Sequence, residues 1–234
     1  LIRKELQKDI LIVIDNTMAG PVFTKPFSLG ADLCVYSATK FLGGHSDIIA
    51  GCVSGYKKYI DIVKSYRGMM GPILDPDSCW LIERSLPTLE LRMNQQYKNT
   101  LFILDKCKTN KHITNIYYTG YNSLKCQDKS RYTQGYIYEN EYTGGSSIFS
   151  ITLNCDKNTI FKILNSLKIF KLAVSLGSVE SLIQHPASMT HSSMSQEDKL
   201  KYNISDNLIR CSIGLEDPCD VSNDLLNTIG KFLD

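Results

Sequence analysis

The 234 residues carry 26 basic and 24 acidic side chains for a net charge of +2, with 43% hydrophobic and 21% charged residues. That is an ordinary globular composition, long enough to bury a real core, and its evenly mixed charge lacks the basic footprint of a nucleic-acid or membrane-surface binder. No stretch approaches the roughly 18 apolar residues of a membrane span, and the eight scattered cysteines form no C-x-x-C pair, so reduced thiols in a cytoplasmic protein are expected rather than a disulfide framework.

In chain order, residues 1–9 read as the tail of an amphipathic helix, with no signal-peptide pattern and no initiator Met. The apolar run Ile10-Leu11-Ile12-Val13-Ile14 stops at Asp15-Asn16-Thr17, and Leu33-Cys34-Val35-Tyr36 stops at Ser37-Ala38-Thr39-Lys40. A third strand, Ala50 to Gly55, follows the turn Gly43-Gly44-His45-Ser46. Apolar runs with polar ends predict a buried parallel sheet whose carboxyl edge carries the site. Tyr56 to Tyr66 predicts a helix with Tyr59, Ile60 and Val63 on one face, and Gly68 to Asp77 a loop. A long helical pattern starts at Ser78, breaks at Pro87 and resumes through Leu89 and Met93 to Leu104.

Beyond that bridge, Ile113 to Tyr118 predicts a short strand, while residues 119–145 are polar and tyrosine-rich without a period. Ser147 to Leu153 alternates, with Phe149, Ile151 and Leu153 on one face. Thr159 to Leu167 predicts a helix and Ile169 to Val174 a strand. Ser195-Gln196-Glu197-Asp198 fits a capping box, Leu208 to Ile213 alternates again, and a last helix runs from about Ser222. Residues 105–234 thus read as a small α+β domain.

The chemistry concentrates at the first two strand ends. A lysine crowded by Phe41, Leu42 and glycines is poorly solvated, which lowers its pKa and exposes an amine able to form a Schiff base with an aldehyde cofactor or carbonyl substrate. Ser37 and Thr39 present hydroxyls to one face, suited to a phosphate. Asp15 can sit under a protonated ring nitrogen and keep that ring an electron sink. Read singly, from spacing alone, Lys40 and Asp15 are more simply solvated strand-end residues, and Arg210 an arginine on the polar face of a surface strand.

The wording of these segments is more specific. Val13-Ile14-Asp15-Asn16-Thr17, Leu29-Gly30-Ala31-Asp32 and Tyr36-Ser37-Ala38-Thr39-Lys40-Phe41-Leu42-Gly43-Gly44-His45-Ser46-Asp47 resemble the cystathionine γ-synthase/γ-lyase and methionine γ-lyase family. These are the pyridoxal-phosphate (PLP) enzymes of cysteine and methionine metabolism. The likeness resumes at Ala173-Val174-Ser175-Leu176-Gly177, through Glu180 to His191, and from Ile204 to Asp217. It covers nearly the whole chain, thinning over 105–145.

The resemblance implies an α/β fold: part of an aminotransferase-like (fold type I) large domain over residues 1–96, then a small C-terminal domain over 97–234. It makes Lys40 the cofactor-bearing lysine, Asp15 the partner of the pyridine nitrogen, Ser37 and Thr39 the phosphate-binding hydroxyls, and Thr17 a contact to the ring. Arg210 becomes the grip on the substrate α-carboxylate, with Ser175 and Val174 lining the same pocket. It further implies a homotetramer built as a dimer of dimers. The activity implied is carbon–sulfur lyase or transferase chemistry, γ-elimination or γ-replacement on methionine, cystathionine or O-acylhomoserine. Val174 matches the methionine γ-lyases, so a methionine or cystathionine γ-lyase is preferred to a cystathionine γ-synthase. The family's N-terminal half has no counterpart here, which leaves a reading of another class: a non-catalytic homologue serving as an interface module.

The remaining polar residues have plainer readings. His185 and His191 lack acidic or thiol partners at ligand spacing and read as structural, so no metal is expected. His45 reads as a support for the turn after Lys40, and the tyrosines between 117 and 142 as packing and surface.

Overall fold

The computed structural model describes residues 10–119 and 142–234. The helix expected over 1–9 and most of the tyrosine-rich stretch lie outside the described residues. The first strand, β1 (Val13–Asp15), pairs in parallel with β2 (Leu33–Ser37), and a short helix α1 (Gly20–Phe23) lies on the connection between them. β3 (Gly51–Gly55), however, runs antiparallel to β2. The expected buried parallel sheet is therefore a mixed one, its edges open among the described residues, and Val13 on β1 is 50% exposed. The cause is local. The segment from Ala38 to Ala50 carries no crossover helix, and parallel pairing normally needs one. Instead Thr39 N–H donates to Ala50 O (3.2 Å) and Ala50 N–H to Thr39 Oγ1 (2.9 Å), folding the chain back on itself.

α2 (Lys57–Met70) turns Tyr59, Ile60 and Val63 inward as expected, but none of its residues is fully buried. It extends past Gly68 and ends at Gly71, whose φ of +80° suits a residue without Cβ. α3 (Pro76–Ser85) begins earlier than Ser78 because Asp75 caps it by accepting Ser78 N–H at 2.8 Å, with Pro76 in the first turn. Trp80, on this helix, is 59% exposed and forms no part of the core. Pro87 enforces a 3₁₀ turn over Leu86–Thr88, after which α4 (Leu89–Cys107) runs without a break.

The second sheet has five strands in the order β4-β5-β8-β7-β6. They are β4 (Ile113–Tyr117), β5 (Ile148–Leu153), β6 (Lys171–Leu172), β7 (Leu182–Gln184) and β8 (Leu208–Ser212). The alternation read at Phe149, Ile151 and Leu153, and again at Ile209, Cys211 and Ile213, marks the face packed under α4, α5 (Lys157–Ser166) and α7 (Pro218–Leu233). β6 is shorter than the pattern over Ile169 to Val174 suggests. The Asp224 carboxylate takes the N–H groups of Lys168, Ile169 and Phe170, so the strand cannot start there. β7 has no alternation to betray it, since Leu182, Ile183 and Gln184 are all buried.

The short helix α6 (Gln196–Lys201) is capped by Ser195, which accepts Asp198 N–H (3.0 Å). α7 starts at Pro218, ahead of the expected Ser222, because Asp217 caps it through Cys219 N–H and Asp220 N–H. Among the described residues no helix is long and apolar enough to cross a membrane, and the described cysteines are unpaired.

α4 joins the two sheets. Its N-terminal turns give Leu89 and Met93 to a cluster with Phe23, Phe41 and Leu176, and its C-terminal turns give Ile103, Leu104 and Cys107 to the core of the five-stranded sheet. Between them the buried stripe turns polar, with Arg92, Gln96, Asn99 and Thr100 all facing inward. That polar section positions the site.

Candidate functional site

β1 and β2 end side by side, and a polar clasp holds their ends together. Thr17 Oγ1 accepts Ser37 N–H at 2.8 Å, and Asn16 N–H donates to Val35 O at 2.9 Å. Asn16 is buried: its Nδ2 donates to Gly20 O (2.9 Å) and Tyr36 Oη (3.2 Å), while its Oδ1 accepts from Thr24 Oγ1 (2.7 Å). Burial, first, and the bonded Cys34 push the Tyr36 phenol up to about 12, so it stays neutral. Asp15, exposed at the tip, accepts Thr17 N–H at 3.0 Å. Hydrogen bonds from Thr17, side chain first and backbone second, hold the Asp15 carboxyl below its usual range and keep it ionised.

Two residues beyond β2 the chain tightens into the turn that carries Lys40. Lys40 N–H donates to Ser37 O, Gly43 N–H to Ala38 O and Gly44 N–H to Lys40 O (3.1, 2.8 and 2.7 Å). The Lys40 ammonium donates to Ser175 Oγ at 2.9 Å, a contact between the first sheet and the loop that follows β6. Burial, and then the nearby charge of Arg210, lower its pKa below the ordinary lysine value. The Ser37 hydroxyl has no partner among the described residues. Thr39 Oγ1 accepts from Ala50 N–H and lies only 3.4 Å from Ala50 O, so its proton can be redirected.

Arg210 projects from β8 beside Gln184 of β7, its partner in register. Its Nη2 donates to Val174 O (3.1 Å) and Ser175 O (3.2 Å). With the Gln184 amide oriented so that its oxygen faces the guanidinium, that oxygen accepts from Arg210 Nε at 3.1 Å. Burial lowers the Arg210 pKa, and an arginine so placed still carries its charge. The Val174 side chain is exposed beside this group. The structure thus gathers Lys40, Val174, Ser175 and Arg210 from three separated segments, and clasps Asp15, Thr17 and Ser37 at the adjoining strand ends.

Sequence reasoning missed Asn16, Gln184 and the inward polar residues of α4. Gln96 donates to Ser178 O (2.6 Å), and Asn99 donates to Gly214 O (3.2 Å) and Glu216 O (3.1 Å). Glu216 in turn accepts from Ser181 N–H (2.7 Å) and Ser181 Oγ (2.8 Å), fixing the loop that carries Ser175. The signal was available: polar residues standing in the helical stripe of Leu89, Met93, Ile103 and Leu104. The His185 ring is held between Ser188 Oγ (2.7 Å) and Asp206 O (2.9 Å). His45 holds Gly43 O through Nδ1 at 2.7 Å.

Solved structures similar to this chain include cystathionine γ-lyases and a cystathionine γ-synthase. The chain superimposes on cystathionine γ-lyase from Lactobacillus plantarum, complexed with L-serine, with a TM-score of 0.86 and 33% identity over 99% of this chain and 59% of that one. A family model described as Cys/Met metabolism PLP-dependent enzyme matches residues 2–230, and the chain belongs to that family. Among its relatives, cystathionine γ-synthase 1, chloroplastic, of Nicotiana tabacum is 36% identical over 97% of this chain and 40% of that protein. L-methionine γ-lyase of Fusobacterium nucleatum is 38% identical over 95% of this chain and 55% of that protein. The chain therefore spans about half the length of the curated relatives it matches.

The residues fit PLP. They offer an amine that releases its proton more readily than an ordinary lysine, a carboxylate held ionised for a pyridinium nitrogen, and hydroxyls at alternate positions of a strand end for a phosphate.

Proposed function

We propose that this chain is part of a PLP-dependent carbon–sulfur lyase or transferase carrying out γ-elimination or γ-replacement on methionine, cystathionine or an O-acylhomoserine, in a cytoplasmic homo-oligomer. In this reading residues 1–96 belong to the cofactor-binding large domain and 97–234 form the small C-terminal domain, with α4 connecting them. The observation that carries it is the contact of Lys40 Nζ with Ser175 Oγ at 2.9 Å, with the Arg210 charge close enough to act on the same amine.

Bound PLP supplies an electron sink that makes the substrate's Cα–H acidic. Lys40 would hold the cofactor, and its Nζ, once released by the incoming substrate amine, would take the α-proton. Ser175 Oγ keeps that amine directed. Arg210 would exchange its bonds to the Val174 and Ser175 carbonyls for a bidentate grip on the substrate α-carboxylate, which a lysine could not reproduce. Asp15 would face the ring nitrogen, Thr17 the ring, and Ser37 and Thr39 the phosphate. The apolar, exposed Val174 supports a thioether side chain, and so the γ-lyase assignment, over a synthase.

The test is an absorption spectrum with added PLP, then borohydride reduction and peptide mapping. A yellow species trapped at Lys40 and lost in Lys40→Ala is expected, with release of an α-keto acid from methionine by the protein at its natural length. Label spread over surface lysines, with no keto acid and capture of a longer homologue instead, would support the non-catalytic interface module.

A further inference from the structure

The geometry points to Arg92 as the positioning residue of Lys40: a buried guanidinium that fixes the two peptide units following the lysine and so directs its amine toward Ser175. Arg92 is only 5% exposed. Its Nη1 donates to Phe41 O (2.9 Å), its Nη2 to Leu42 O (3.4 Å) and Ser85 O (3.1 Å), and its Nε to Thr88 Oγ1 (3.1 Å). All four acceptors are neutral, and among the described residues no carboxylate pairs with it. Desolvating a cation without a counter-charge costs several kcal/mol, which a plain packing role would not require. A planar fork with five donors in fixed directions can, however, hold successive carbonyls at once; an ammonium does so without that fixed geometry, and an apolar side chain not at all.

The surrounding sequence is shaped to admit it. The break at Pro87 turns Leu89 N–H to Leu86 O, which leaves Ser85 O for Arg92 and Thr88 Oγ1. On the other side Gly44 adopts φ +73°, and a Cβ there would lie 2.1 Å from Arg92 Nη1. Gly44 O then accepts Val179 N–H at 2.8 Å, and a Cβ on Gly177 would come within 2.9 Å of Phe41 N. The turn carrying Lys40 is thus wedged between Arg92 and the very loop that holds Ser175. Losing Arg92 frees the turn on one side and lets Lys40 Nζ leave Ser175 Oγ.

This inference rests on the functional reading above only in taking Lys40 as the reactive amine, and its test needs no cofactor. In the protein at its natural length and free of PLP, lysines are acylated across a range of pH and quantified by peptide mass spectrometry, with exposed Lys64 as internal reference. In Arg92→Met the Lys40 inflection rises toward the ordinary lysine value, and the Lys40-to-Lys64 rate ratio at pH ~8 falls roughly threefold or more, as expected when an amine regains an ordinary pKa. Arg92→Lys, keeping one carbonyl contact, falls between, and Thr88→Val moves the profile least. A folded Arg92→Met with an unmoved Lys40 profile overturns the assignment, because a purely structural role lowers stability without moving that profile. Should Arg92→Met fail to fold, Arg92→Lys decides by the same criterion. A moved profile with no borohydride-trapped PLP at Lys40 refutes the PLP reading and leaves this one standing; trapped PLP with an unmoved profile does the reverse.

Discussion

The two sheets solve the problem of holding their shape in different ways. The five-stranded sheet is covered by α4, α5 and α7 and buries Ile151, Leu153, Ile183, Ile209 and Ile213 almost completely. Among the described residues the three-stranded sheet has a small cluster beneath it, Cys34, Tyr36, Ala38 and Leu42, and leaves apolar side chains exposed on both outer strands. Yet the thinly covered sheet carries Lys40. Its site is kept in register by directed polar bonds from α4 and the 175–181 loop, together with the small apolar cluster of Phe23, Phe41, Leu89, Met93 and Leu176. A large core supplies stability on one side of the molecule; directed hydrogen bonds over a small cluster supply placement on the other.

The largest break of that contrast comes from the covered side. Ile151→Ala, at a fully buried position, should cost about 3 kcal/mol by urea denaturation, in the range for truncating a buried isoleucine. The acylation profile of Lys40 in the protein that remains folded should not change. A shift of that profile would show that placement depends on the second core after all.

A pH series sharpens the contrast next. His185 Nε2 donates to Asp206 O and Nδ1 lies 2.7 Å from Ser188 Oγ, a hydroxyl able to donate to the neutral ring. Burial, opposed by Asp206 and aided by the Lys157 and Lys199 charges, lowers its pKa from 6.5. The unfolded chain then takes up the proton more readily than the folded one. His185 therefore favours folding above its unfolded pKa, and that contribution is lost as pH falls from about 6.5 through the lower folded value. His185→Gln should flatten this part of the stability curve, measured as urea midpoints from neutral pH downward. The smallest effect belongs to the open edge. Val13→Thr on β1 should change stability by less than ~0.5 kcal/mol, as for an exposed substitution, and a larger loss would mean that this edge is covered in the protein at its natural length.

What could be read from the sequence follows the same division. Strands with one covered face, such as Phe149 to Leu153 and Leu208 to Ile213, announce themselves by alternation. β7, covered on both faces, does not, and the direction of β3 depends on two bonds between Thr39 and Ala50 that no periodicity encodes. The strand-end candidates Asp15, Thr17, Ser37, Thr39 and Lys40 stand out in the wording of the sequence, whereas the buried Asn16 between the first two does not. Nor do Arg92, Gln96 and Asn99, because a polar residue within an apolar stripe declares its burial but not which carbonyl it will meet on a segment as many as 117 residues away.

The unbroken run of α4 from Leu89 to Cys107 has a bearing on how the molecule can be taken apart. A cut in the first turns of that rod, roughly 28 Å long at 1.5 Å per residue, strips the first sheet of Leu89, Arg92 and Met93, one near its end strips the second of Ile103 and Leu104, and one between them parts Phe41 from Leu176. Neither piece would keep a finished interior. The two sheets are modules to the eye, but on heating they share one fate.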